Sequence, residues 1–238
     1  PDEPVEIAWQ AYELDPDAGA GTDESSAQML ARKYGMSLAE AESTQEQMAA
    51  RFTELGLEFN WRQVKRCSTF DAHRLSAAAA EHGVADEVDE ALRRAHFTDG
   101  EAIADPAVLR RIGSEAGIPA EALDDLLAGD AHADSVRQDV ETARGIGVQG
   151  VPFFVFNRRL AVSGAQPVEA LAQALDQGVH VVTFIGELIL EHKGELHRLS
   201  TPVIACLHFP IPVWNSDRQH ASMRAHGFRD FWGCSRRS

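Results

Sequence analysis

The chain has 238 residues, 44% of them apolar and 25% charged, the balance of an ordinary soluble globular protein, which excludes disorder throughout. A formal net charge of -15 repels polyanions at the distances over which steering acts, so neither nucleic acid nor anionic membrane is an expected partner. Cys67, Cys206 and Cys234 are far apart and form no Cys-x-x-Cys, so no disulfide framework and no thiolate zinc site is readable, and the composition suits a reducing cytosol.

Val5 to Leu14 alternates Val5, Ile7 and Trp9 against more polar neighbours, the period of a strand with one more apolar face. Asp15, Pro16, Asp17, Gly19 and Gly21 then break the pattern. From Ser26 to Arg144 the punctuation is helical. Ser37 with Glu40 is a capping box, in which hydroxyl and carboxylate each satisfy an orphan backbone N–H, and it predicts a helix to about Leu55 with a stop at Gly56. Ser68 or Thr69 opens the next helix, which stops at Gly83; Asp105 with Pro106 at the first helical position opens another; Pro119 opens one that closes at Gly129. Asp130 to Arg144 carries Ala133, Val136, Val140 and Ala143 at helical spacing and ends at Gly145.

Strands then return. Val151 to Phe156 is a short aromatic and β-branched run, Asn157-Arg158-Arg159 reads as a turn, and Leu160 to Ser163 completes a hairpin. Pro167, at the first helical position, opens a helix that ends at Gly178. The composition changes there: seven Lys or Arg and five Asp or Glu follow Gly178, whereas 15 of the 22 basic and 32 of the 37 acidic residues precede it. A domain of residues 1–178 and an extension of residues 179–238 are therefore expected. Within the extension, Val179 to Leu190 is interrupted by His180, Thr183 and Glu187 and is too short to cross a bilayer. With the turn-like Lys193-Gly194 it resembles a hairpin, while Pro202, Pro210 and Pro212 make the remainder irregular. His192 with His197, and His220 with His226, lack local Cys or carboxylate partners at helical spacing, so they read as scatter and no metal is expected. No basic-then-apolar leader opens the chain, which starts on Pro1 rather than Met, so a missing upstream segment is considered.

Pro152 sits where a strand should begin; it cannot donate to a sheet, and the residues alone leave open whether it is tolerated at a strand end or forms a cis bond. The segments WQAYELDPDA, LARKYGMSLAEAE, LGLEFN, TFDAHRL, AHFTDG and GVQGVPFFVFNRRLAVSGAQPVEAL, in this order over nearly all of Pro4 to Gln177, resemble the FrnE-like branch of the DsbA family. The resemblance implies an α/β thioredoxin-like fold with a large helical insertion, here at about 26–144, and thiol chemistry. It also implies that Gly150, Val151 and Pro152 form the cis-proline loop facing the active site, with the Val151 backbone pairing an extended substrate strand. His73, one turn into a helix beside Phe70 and Leu75, reads first as a packed and hydrogen-bonded histidine at a domain junction, with a substrate-side position facing the missing dithiol as the alternative. Gly164, Ala165 and Gln166 precede a helix whose first N–H groups suit a carboxylate such as that of glutathione, with a helix cap as the alternative.

Family members begin with a strand that feeds a Cys-Pro-Trp-Cys turn at a helix start, where the dipole activates the first thiol. Here Pro1 to Leu14 matches the family's second strand, so the first strand and first helix are expected to be missing and no catalytic residue is assigned. Cys67, where relatives carry other residues and Asn follows instead of Ser68, is read as incidental. The leading expectation is a thiol-disulfide oxidoreductase present without its dithiol, acting in the cytoplasm on protein or small-molecule thiols and disulfides. It needs no cofactor, glutathione entering as a substrate. The alternatives are a non-catalytic module that binds peptide or glutathione, and a glutathione-dependent isomerase of the 2-hydroxychromene-2-carboxylate type. In the thioredoxin fold the missing strand lies between the second strand and the hairpin, and its loss would leave two unpaired edges. Val181 to Leu190 is the unassigned apolar segment expected to fill that slot.

Overall fold

In the computed structural model of the chain, residues 5–21, 24–176 and 181–186 are described. The alternation at the start of the chain becomes strand β1 (Glu6–Ala11), and the apolar run after the helical block becomes the hairpin of β2 (Phe153–Phe156) and β3 (Leu160–Ser163). The segment expected in the interior slot enters it as β4 (Val181–Gly186). The sheet runs β1-β4-β2-β3, with β4 parallel to β1 and antiparallel to β2. Asn157 fixes the register at one end: its N–H donates to the Val181 carbonyl (2.8 Å), and its side-chain oxygen accepts from the Val181 N–H (3.0 Å).

Because successive side chains alternate between faces, each strand divides its apolar residues between two layers. On one face Trp9, Phe184 and Phe154 stand side by side across three strands, with ring centroids 4.5 and 4.8 Å apart. Helix α8 (Val168–Leu175) covers this face with Leu171 and Ala174. On the other face Val155 and Ile185 pack with Ala143, Val148, Tyr12 and Val151. Ala143 belongs to α7 (Ala133–Gly145), so a helix covers each side of the sheet.

Among the described residues, seven helices separate β1 from β2. The first pair is α1 (Ser26–Tyr34) and α2 (Leu38–Glu54); both begin with a closed capping box, Ser25 with Gln28 and Ser37 with Glu40. Next come α3 (Phe70–Glu81), α4 (Ala85–Phe97), α5 (Pro106–Glu115) and α6 (Ala120–Ala128), and α7 returns to the sheet. Leu75, Leu92, Ile103, Leu109, Ile112 and Leu123 form a separate core among α3 to α6. Gly113 is required there: a Cβ on it would lie 2.5 Å from a Leu123 methyl and 3.2 Å from a Leu75 methyl. The architecture is the thioredoxin-like α/β fold with a helical insertion.

Three expectations shift in detail. The strand expected over Val5 to Leu14 stops at Ala11, because Asp15 pairs with Arg66 and Gly19 accepts from the Ser68 N–H (2.7 Å), drawing the chain off the sheet. Pro167 is the cap residue before α8 rather than its first turn. Thr69 precedes α3 without a side-chain cap; the Ser68 hydroxyl accepts from the Phe70 N–H instead (3.2 Å). The compositional change after Gly178 falls between α8 and β4, and β4 lies inside the same sheet. The Lys193-Gly194 turn, the proline-rich stretch and the histidine pairs of the extension lie outside the described residues.

Candidate functional site

Three strands end together at one edge of the sheet. In a parallel pair both carboxyl ends lie on the same side, so Tyr12, just after β1, meets the last residue of β4: its N–H donates to the Gly186 carbonyl (3.0 Å). The antiparallel β2 begins at this same end, with Phe153 opposite Ile185, which places Pro152 beside the end of β4. The Val151-Pro152 peptide bond is cis. The Pro152 carbonyl accepts from the Gly164 N–H (2.8 Å), which joins the loop before β2 to the loop before α8.

His73, in the first turn of α3, is 5% exposed and sets its Nε2 3.0 Å from the Tyr12 carbonyl. The Tyr12 phenol donates toward the Val148 carbonyl at 3.4 Å, linking the end of β1 to the segment that leads into Gly150 and Val151. From α7, Asp139 accepts the Ala11 N–H on Oδ2 at 3.0 Å. The strand end is thus held through Tyr12, with an imidazole and a carboxylate on consecutive residues.

The profile of the DsbA-like thioredoxin domain family matches residues 2–176. The chain belongs to this family. It resembles a probable DsbA oxidoreductase from Streptomyces coelicolor, known from a crystal structure, at 38% identity and a TM-score of 0.65, over 71% of this chain and 73% of that one. No curated protein matches the sequence. The family is one of thiol-disulfide oxidoreductases.

Within this DsbA-like frame the residues singled out from the sequence fall into two groups. Val151, Pro152 and His73 surround the ends of β1 and β4 through the contacts above, and Gly164 joins them through Pro152. Gly164 has φ +76, a left-handed conformation that costs a glycine little. Its N–H is committed to Pro152, and the Gln166 side chain donates to the Ser163 carbonyl (2.9 Å), so both groups hold the turn itself. Gly150 and Ala165 flank these residues in the chain. Among the described residues no group of three His, Cys, Asp or Glu side chains could hold a metal ion. Cys67 packs into the insertion core with Leu75 and Leu92 and is 7% exposed.

Asp139 is the site residue that the sequence reading passed over. Burial raises its carboxyl above the ordinary aspartate value, against the Ala11 N–H and the charge of His73, which both lower it. The folded state therefore holds this proton more tightly than the unfolded chain does. Stability is lost as pH rises from the ordinary aspartate value through the raised one, and the loss is complete above that window. Asp139→Asn keeps an oxygen for Ala11 and removes the buried charge. The variant should have a higher urea midpoint than the natural protein at pH 7, with the difference closing as pH falls below the ordinary carboxylate range. Equal midpoints at pH 7 and pH 3 would show that burial does not set this carboxyl's charge.

Proposed function

We propose that this chain is the body of a thiol-disulfide oxidoreductase of the FrnE-like branch, acting on protein or small-molecule thiols and disulfides, with the reacting dithiol outside these 238 residues. The observation that carries the reading is the meeting of Tyr12, Gly186 and Pro152 at one sheet end in a chain that belongs to the DsbA-like family. Exchange proceeds by attack of a thiolate on one disulfide sulfur and departure of the other as a thiolate, so it needs an accessible, activated thiol and a resolving partner. Cys67 is buried in the insertion core, and Val64 and Phe70 stand three residues to either side of it in the sequence, which fits it to packing rather than to exchange. The Val151-Pro152 segment supplies a ledge against which an extended substrate backbone can lie.

The test compares two chains in an insulin-reduction assay. The 238-residue chain should give no turnover above buffer, whereas the chain extended through the coding sequence upstream of Pro1 should carry a Cys-x-x-Cys at a strand-to-helix turn and reduce insulin. An upstream sequence without cysteines, or equal turnover by both chains, refutes the reading. The absence of any Cys-x-x-Cys from these residues favours a second reading, a module that binds thiols without exchanging them. That reading requires saturable glutathione or peptide binding and no turnover in either chain.

A further inference from the structure

The strand beside the Val151-Pro152 ledge is the last described element of the chain. β2 leaves the ledge with β3 on one side and β4 on the other, and β1 lies beyond β4. Because β4 runs parallel to β1, its carboxyl end, Gly186, reaches the ledge end of the sheet. Neighbouring strands are about 4.8 Å apart, so a strand in the β4 position delivers the turn that follows it to within one spacing of the start of β2. A strand added outside β1 stands three spacings from β2, and one added outside β3 stands two, about 14 and about 10 Å. Neither lets one sulfur attack another at the ledge. The outer side of β1 is also closed at its end, where Asp139 takes the Ala11 N–H (3.0 Å).

We infer that β4 is an exchangeable occupant of the slot between β1 and β2: the strand that carries the dithiol enters this slot, and β4 leaves as it does so. The inference rests on the reading of this chain as the body of an oxidoreductase whose dithiol lies upstream of Pro1. A strand-to-helix turn upstream of β1 is the first half of a strand-helix-strand unit, whose two strands lie parallel and are commonly neighbours. β1 is the second strand of that unit. The arriving strand therefore runs in the direction that β4 runs, and the side of β1 nearer the ledge is the side that β4 holds.

The slot also defines the chemistry of its occupant. Val182 and Phe184 enter the layer of Phe154, Phe156 and Leu171, and Ile185 enters the opposite layer with Ala143, Val148 and Val155. A rival strand must be apolar toward both faces and free of charge, as the six residues of β4 are. A rival of this kind restores both ladders and fills both layers, so the exchange conserves the interactions that β4 makes. Departure of β4 withdraws no later described element from the fold. With β4 in the slot the site is closed to the dithiol, and with β4 out it is open.

The experiment uses the two chains of the insulin assay, the 238-residue chain and the chain extended upstream of Pro1. Amide exchange over residues 181–186, read by mass spectrometry, should be slowed by about a hundredfold or more in the 238-residue chain, and at least about tenfold of that protection should be lost in the extended chain. Amides of β1 and β2 should stay protected in both, which separates the exchange of one strand from loss of the sheet. Phe184→Asp should lower the urea midpoint of the 238-residue chain and leave the midpoint and the insulin turnover of the extended chain unchanged. If the extended chain reduces insulin while its 181–186 amides remain as protected as in the shorter chain, or while Phe184→Asp lowers its midpoint equally, the inference is overturned and the oxidoreductase reading stands. An upstream sequence without cysteines, or equal turnover by both chains, removes that reading and the inference with it.

Discussion

A chain ended at Gly178 should lose its sheet while keeping most of its helices. Without β4, the partners of β1 and β2 in the interior of the sheet are gone, and both strands expose unpaired edges. The loss also removes Val182, Phe184 and Ile185, which are 8%, 4% and 0% exposed. At about 1.5 to 3 kcal/mol per buried side chain, these three contribute roughly 5 kcal/mol or more, the size of the whole stability of many domains. The core of α3 to α6 draws on no sheet residue, so its helices have their own reason to persist. The expected signature is a retained far-ultraviolet helical signal with a red-shifted Trp9 emission, because Trp9 stacks on the Phe184 ring that has been removed. Native near-ultraviolet dichroism and an unchanged urea midpoint in the shortened chain would show that the sheet does not need β4. They would also support a domain that ends at residue 178.

The parts of this fold that were legible in the sequence are those whose causes are local. The Ser37 capping box, Asp105 with Pro106, and the Asn157-Arg158-Arg159 turn each carry their own punctuation, and each sits where that punctuation places it. Asn157 and Arg158 have φ of 48 and 56, the left-handed conformation that a tight hairpin turn demands. Helix α4 was hidden within the helical block because the residue before it, Val84, offers no side-chain cap, and because Asp89, wholly buried, interrupts its apolar stripe of Val88, Leu92 and Ala95. Asp139 hid in the same way. It lies three residues after Val136 and four before Ala143, on the stripe that faces the sheet, and a carboxylate on such a stripe was the one available sign of it. Its partner, the Ala11 N–H, is 128 residues away in sequence, a separation that no local pattern reports. For β4 the shift in charge after Gly178 pointed to an extension, whereas the count of strand edges in the fold pointed to a slot. Only the second argument concerns pairing, and pairing is what places a strand.

Replacing Arg74 should destabilise the protein more than any other single polar substitution at the junction of α3 with the returning helix. Its side chain is 8% exposed, and its guanidinium donates from Nε to the Ala131 carbonyl (2.8 Å) and from Nη2 to the Leu126 and Gly129 carbonyls (2.6 Å each). Nη1 meets Asp71 at 2.8 Å. One planar fork therefore satisfies carbonyls that the end of α6 leaves without partners, at the negative pole of that helix. Arg74→Ala strands these groups in a buried place and should cost about 3 to 5 kcal/mol. Lysine restores the charge but not the fork, and should recover only about half of that loss. Arg74 also neighbours His73, so a single turn of α3 reaches the end of β1 with one side chain and the start of α7, which carries Asp139, with the next. Hydrogen exchange at the Ala11 amide, whose acceptor is Asp139, should accelerate in Arg74→Ala beyond what the global loss of stability accounts for. A variant within about 1 kcal/mol of the natural protein in urea, with Ala11 exchange unchanged, would mean that the guanidinium neither anchors the start of α7 nor steadies the site.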